Sequence, residues 1–140
     1  MKNILLITVG LILAVSARAQ SPSAIASAPE NVKAGNEFTI SVTIEKFDLE
    51  GFAQYVQKLP EGFKASEISG MSDNANFYFE NNKVMFQWYK LPVDRDKIVI
   101  SFSVTPDKSA TGKIIMPGYF EYKINNRRGV AQTETTVDIQ

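Results

Sequence analysis

The sequence contains no histidine and no cysteine. Without histidine there is no Ser–His–Asp triad, no imidazole base and no imidazole metal ligand. Without cysteine there is no disulfide, no thiolate nucleophile, no ordinary structural zinc site and no lipid-modified cysteine. An excess of either charge is missing too: 15 Lys and Arg face 15 Asp and Glu over 140 residues. A nucleic-acid binder needs a concentrated basic face, so this balance argues against one. No Ser-x-x-Lys, GxGxxG or P-loop pattern occurs, which leaves a Ser–Lys dyad and phosphate cradling without support. Carboxylate pairs are the remaining route to catalysis, and no pair is singled out by spacing. The reading is therefore a non-enzyme with no cofactor and no metal.

Only one long apolar run exists. Lys2 precedes Ile4–Val15, which is interrupted by Thr8 and Gly10, and Ala17-Arg18-Ala19 then offers small residues where a signal peptidase reads. The run is too short for a comfortable membrane span, which takes about 20 apolar residues. Residues 1–19 are read as a cleaved signal peptide, which places the protein in the periplasm or outside the cell. No later segment is apolar enough to span a membrane. Residues 20–140 are enough chain to fold as one domain without disulfides.

Residues 20–36 are small and polar, a lead-in with a short edge strand near Ala24–Ala28 and a turn at Val32–Asn36. All 15 aromatic residues lie between Phe38 and Tyr122, so residues 37–140 must supply the core. The dominant period there is two. Phe38, Ile40, Val42 and Ile44 alternate with Thr39, Ser41 and Thr43. Ile98, Ile100, Phe102 and Val104 alternate with Val99, Ser101 and Ser103. Strands with one buried and one wet face give this pattern, and a wet face favours antiparallel sheets.

Asn81-Asn82 predicts a two-residue hairpin turn, because Asn tolerates the positive φ that a type I′ turn requires at both positions. Glu80 then faces Lys83, Phe79 faces Val84, Tyr78 faces Met85 and Phe77 faces Phe86. Parity puts Phe77, Phe79, Val84, Phe86 and Trp88 on a wholly apolar face that should be core. Tyr78, Glu80, Lys83, Met85, Gln87 and Tyr89 share the mixed face. A second hairpin is expected around Asn125–Gly129, between Tyr119–Ile124 and the Thr- and Val-rich Val130–Ile139. Lys113–Met116 reads as a separate short strand ended by Pro117-Gly118, and Pro106–Gly112 as a loop. Asp48–Leu59 is ambiguous. Leu49, Phe52, Ala53, Val56 and Leu59 fall at helical spacing, whereas the need for a partner to Phe38–Ile44 favours a strand, which is the assignment adopted, with a turn after it at Pro60–Gly62. About eight strands at regular spacing predict an all-β, two-sheet antiparallel sandwich.

The run Val32-Lys33-Ala34-Gly35-Asn36-Glu37-Phe38-Thr39-Ile40-Ser41-Val42-Thr43-Ile44, succeeded by Leu49-Glu50-Gly51-Phe52-Ala53, resembles the opening of cohesin-like domains and the related carbohydrate-binding sandwiches. These begin with a glycine turn, an alternating strand and a Gly-led second strand. The resemblance implies an immunoglobulin- or cohesin-like sandwich. Gln57–Phe63 stand where cohesins run on through a Tyr-Asp pair and a Leu-rich stretch, so no cohesin binding residue is carried over.

The candidate binding residues are Tyr78, Met85, Gln87 and Tyr89, where flat aromatics beside amides suit either a protein contact or stacking on sugar rings. The bland alternative is cover by a loop or by the lead-in. Trp88 is assigned to the core instead. Loop oxygens at Asp94–Asp96 and Ser72–Asn76 are read as turn chemistry before calcium ligands, and Arg127-Arg128 as a solvated tip. Edge segments near Ile25 and Thr133–Val137 are candidates for strand addition, with internal pairing the simpler outcome. The expected function is an exported module that binds a protein partner, with a glycan as the alternative.

Overall fold

The computed structural model describes residues 21–140. The leader expected at residues 1–19 lies outside them. Ten strands succeed one another along the chain: β1 (Ser23–Ser27), β2 (Asn31–Val32), β3 (Phe38–Glu45), β4 (Ala53–Lys58), β5 (Lys64–Glu67), β6 (Asn76–Glu80), β7 (Lys83–Trp88), β8 (Lys97–Thr105), β9 (Gly112–Ile124) and β10 (Arg127–Ile139). They form a four-stranded sheet in the order β1-β3-β8-β5 and a six-stranded sheet in the order β2-β10-β9-β4-β7-β6. The all-β, two-sheet sandwich expected from the period-two pattern is the fold observed. Every pairing is antiparallel except the two-residue bridge of β2 to the end of β10.

The core lies where the alternation put it. Ile40, Val42 and Ile44 of β3 and Ile98, Ile100, Phe102 and Val104 of β8 are fully buried and face Val84, Phe86 and Trp88 of β7 from the other sheet. Side chains of this size contribute about 1.5–3 kcal/mol each when removed from water. Phe86 meets Phe102 across the sandwich at 5.7 Å, and within the six-stranded sheet Trp88 of β7 meets Phe120 of β9 edge-on at 6.2 Å.

The Asn81-Asn82 turn forms as expected, and the second hairpin reverses at Asn125-Asn126, so that Arg127–Gly129, expected in the turn, open β10. Asn81 and Asn82 sit at φ 54° and 60°, Asn125 and Asn126 at 51° and 62°. The first hairpin has the expected register, Glu80 to Lys83 through Phe77 to Phe86. The lead-in is built into both sheets, with β1 at the edge of the smaller one and β2 closing the larger.

Two sequence expectations need correction, and one strand went unpredicted. The segment after Pro106–Ala110 is not two strands broken at Pro117-Gly118 but one, β9, whose ladder with β10 runs unbroken past both residues. Pro117 is tolerated because β4 borders β9 only from Gly118 to Glu121; at Pro117 the strand has a single neighbour, so no ladder bond is lost on the other side. Next, the strand within Asp48–Leu59 starts at Ala53 and lies between β9 and β7, whereas β3 is partnered by β1 and β8. Lastly, β5 gave no alternation to read, because Lys64-Ala65-Ser66-Glu67 is short and polar.

Candidate functional site

The outward side chains of the six-stranded sheet fall into rows fixed by register. One row is Tyr78, Met85, Val56, Tyr119 and Gln132, on β6, β7, β4, β9 and β10. The next is Asn76, Gln87, Gln54, Glu121 and Val130. An aromatic and apolar stripe thus runs beside an amide-rich one. Tyr78 is 42% exposed, Met85 and Tyr119 are half-buried, and Val56 is closed over by its neighbours. Gln87 Nε2 donates to Gln54 Oε1 at 3.3 Å, which steadies the amide row.

Tyr78, Met85 and Gln87 are therefore brought together on one outward face. Tyr89 stands slightly apart. β7 ends at Trp88, and Tyr89 comes directly after it at 90% exposure. Ala53 pairs with Trp88, so Phe52 and Tyr89 flank the last pair of the ladder, and Phe52 is 50% exposed. The loop that delivers Phe52 is pinned from several sides. The amides of Lys46 and Phe47 both donate to the Asp96 carbonyl, and the buried Lys46 Nζ donates to the carbonyls of Phe47 and Leu49. These bonds hold Phe47 at φ 53°, a costly conformation for a bulky residue. The Leu91 amide then closes onto the Gly51 carbonyl at 2.9 Å.

Sequence reasoning missed Phe52, Val56 and Tyr119 as members of this face. Tyr119 had the outward parity, but nothing in a single sequence says that β9 lies beside β4. Val56 sat in a stretch whose alternation is spoiled by Gln57, a fully buried polar residue.

That residue belongs to a network beneath the face. Tyr55 Oη donates to Gln57 Oε1 at 2.8 Å and shares a 2.7 Å bond with Thr133 Oγ1, while Gln57 Nε2 donates to the Met116 carbonyl. Burial pushes the Tyr55 phenol well above its usual value, against a smaller opposing effect of the Thr133 bond. The phenol stays neutral and acts as a crosslink between β4 and β10, over Gly118 of β9.

On the outer side of the same strands lies an open concavity of about 640 Å³, lined by residues that include Val56, Lys58, Lys83, Tyr119, Val130 and Glu134. Lys58 and Lys83 stand directly opposite each other in the ladder. Neither makes an ion pair among the described residues, although Arg128 pairs with Glu121 at 2.8 Å.

Trp88, the Ser72–Asn76 loop and Thr133–Val137 are structural. Trp88 is fully buried, and its indole N–H donates to the Asp73 carbonyl at 2.9 Å. The Asp73 carboxylate takes the Val99 amide and the Arg95 guanidinium, at 3.2 and 2.5 Å. The Ser72–Asn76 loop thus ties β7 to β8. Thr133–Val137 pairs internally with β9. Among the described residues no group of three acidic side chains is gathered as for a metal, and no helix is long and apolar enough to cross a membrane.

Comparisons with known proteins bear on the fold. The sequence matches no protein-family model and no curated protein. Among solved structures, the chain is similar to a non-cellulosomal cohesin from the hyperthermophilic archaeon Archaeoglobus fulgidus, with a TM-score of 0.61 over 86% of this chain and 92% of that one, at 15% identity. It also superposes, with a TM-score of 0.42 and 9% identity, on 18% of the GH20 exo-β-N-acetylglucosaminidase from Vibrio harveyi, over 86% of this chain. The fold is cohesin-like.

Proposed function

We propose that this chain is an exported, non-enzymatic module that binds a protein partner on the outer face of the six-stranded sheet. The observation that carries the reading is the in-register row Tyr78–Met85–Val56–Tyr119 crossing four strands beside an amide row. Rigid aromatics on a sheet supply contact area at little entropic cost, and binding hot spots favour such residues. The facing Lys58 and Lys83 at the margin make no ion pair among the described residues, although Glu80 stands opposite Lys83, and a partner that presents an apolar ridge with a carboxylate beside it suits them. Similarity to a cohesin supports a binding role over an enzymatic one. Export rests on the leader read at residues 1–19.

A photo-crosslinker placed at Met85 tests this, with Val99 on the opposite sheet as control. A discrete partner captured from envelope fractions at Met85 alone, and lost with Lys83→Glu or Tyr78→Ala, is the expected result. Equal capture from both sheets defeats the reading. So does specific binding to a glycan array that Tyr89→Ala abolishes, which would establish the carbohydrate alternative.

A further inference from the structure

Sheet edges invite strand addition unless charge, proline or brevity blocks it. Four edge elements here are blocked in this way. β5 is four residues long and carries Lys64 and Glu67; β6 ends in Glu80; β2 has two residues; the open stretch of β10 carries Arg127, Arg128 and Glu134. β1 is the exception. Ser23-Ala24-Ile25-Ala26-Ser27 has no charge and no proline, and its central Ile25 is 71% exposed. One side of β1 is laddered to β3; among the described residues its backbone makes no bond on the other side. β10 packs near it from the other layer without pairing.

The segment also reads the same in both directions. In antiparallel pairing about Ile25, each residue meets its own kind in a second copy: Ile25 against Ile25, Ala24 against Ala26, Ser23 against Ser27. An isologous contact uses one patch of surface twice, and here like-on-like pairing leaves no mismatch of size or charge at any of the five positions. Charge agrees. The row Ser23, Glu45 and Lys97, in which the two charged groups are 3.8 Å apart and set back from the edge on β3 and β8, lines up with the hydroxyl row Ser27, Ser41 and Ser101 of the other copy, so no like charges are opposed. Ile25, Thr43 and Val99 form one row across the sheet, which the axis doubles into an apolar stripe. Pro22 and Pro29 bracket the segment and confine the pairing to it.

We infer that the protein forms a closed two-fold dimer through β1, joining the four-stranded sheets of two copies into one. This surface is separate from the proposed partner face, so either can fail alone. Sedimentation equilibrium from low micromolar to near-millimolar concentration should show monomer and dimer. Ile25→Lys, which opposes two ammonium groups at the axis, should weaken the dimer roughly tenfold or more while leaving the circular dichroism unchanged. The chain has no cysteine, so Ile25→Cys should give a disulfide-linked dimer on mild oxidation, whereas Val93→Cys, at a site 62% exposed, should not. A monomer at every concentration, a dimer indifferent to Ile25→Lys, or equal cross-linking at the two cysteine positions would overturn the inference.

Discussion

In the four-stranded sheet, β3 and β8 point Phe38, Ile40, Ile44, Ile100 and Phe102 inward and mostly Ser and Thr outward, among them Ser41, Thr43, Ser101 and Ser103. The six-stranded sheet departs from this pattern on both faces. Inside, it buries Tyr55, Gln57 and Thr133; outside, it displays Tyr78, Met85 and Tyr119. Folding alone accounts for β3 and, apart from the exposed Val99, for β8, since apolar-in and hydroxyl-out is what a half-wet strand needs. It does not account for the larger one. Rings turned to water forgo burial, and polar groups turned inward must be satisfied one by one. Departures from binary patterning gather where specificity or function is served, which is why the proposed binding face is placed on this sheet.

The sharpest test of inside against outside uses adjacent residues. Trp88→Ala should cost about 3–5 kcal/mol as a core truncation. It also removes the donor to the Asp73 carbonyl. Tyr89→Ala should stay within about 0.5 kcal/mol, as surface changes do. Denaturant titration of the two variants checks this, and equal losses would break the comparison. Gly118→Ala comes next. A Cβ there would lie 2.5 Å from Tyr55 Oη, 2.6 Å from Thr133 Oγ1 and 2.9 Å from the Val56 carbonyl. Overpacking against fixed backbone on one side costs about 1–3 kcal/mol. Thermal unfolding of Gly118→Ala alone and combined with Tyr55→Phe reads how much of the loss is the clash with the hydroxyl.

Tyr55→Phe itself should cost about 1–2 kcal/mol at neutral pH, because Gln57 and Thr133 lose a buried partner. It should also change the pH dependence. The folded phenol is held above its ordinary value of about 10, so the unfolded chain ionises first. The stabilisation is whole below that pH and is lost as pH rises above it. The wild-type protein should therefore lose stability more steeply than Tyr55→Phe in alkaline solution, and parallel curves would remove the neutral phenol from the account.

Much of this architecture was legible in the sequence, and the illegible parts share a cause. The Asn81-Asn82 hairpin could be registered residue by residue because turn chemistry and ring parity agree there. β3 and β8 were legible because each obeys one period throughout. β4 was obscured by Gln57, a polar residue at an inward position, and its partners are not encoded in its own pattern. β9 was cut at Pro117-Gly118 because those residues ordinarily end strands. Here proline sits where no second neighbour needs its amide, and glycine clears room for the Tyr55 hydroxyl. Of the proposed face, Tyr78, Met85 and Gln87 were placed outward together by parity. Tyr119 and Val56 complete it only once strand order is known, since one sequence holds parity within a strand but not adjacency between distant ones.

The smallest expected effect probes the plain sheet. Ser41 and Ser101 share a 2.8 Å hydroxyl bond on the outward face, and Ser101 is nearly closed off from water by its neighbours. Ser41→Ala leaves the Ser101 hydroxyl without its partner and should cost up to about 1 kcal/mol. Ser41→Ala combined with Ser101→Ala removes both ends of the bond at once and should return stability to within about 0.5 kcal/mol of wild type. The corresponding double change beneath the other sheet, Tyr55→Phe with Thr133→Val, should recover less, because Gln57 remains buried with an unused acceptor. A thermodynamic cycle on each pair compares the two sheets directly. If the hydroxyl pair proves as hard to replace as the tyrosine network, the smaller sheet is as specialised as the larger, and the assignment of the binding face to one side loses its physical basis.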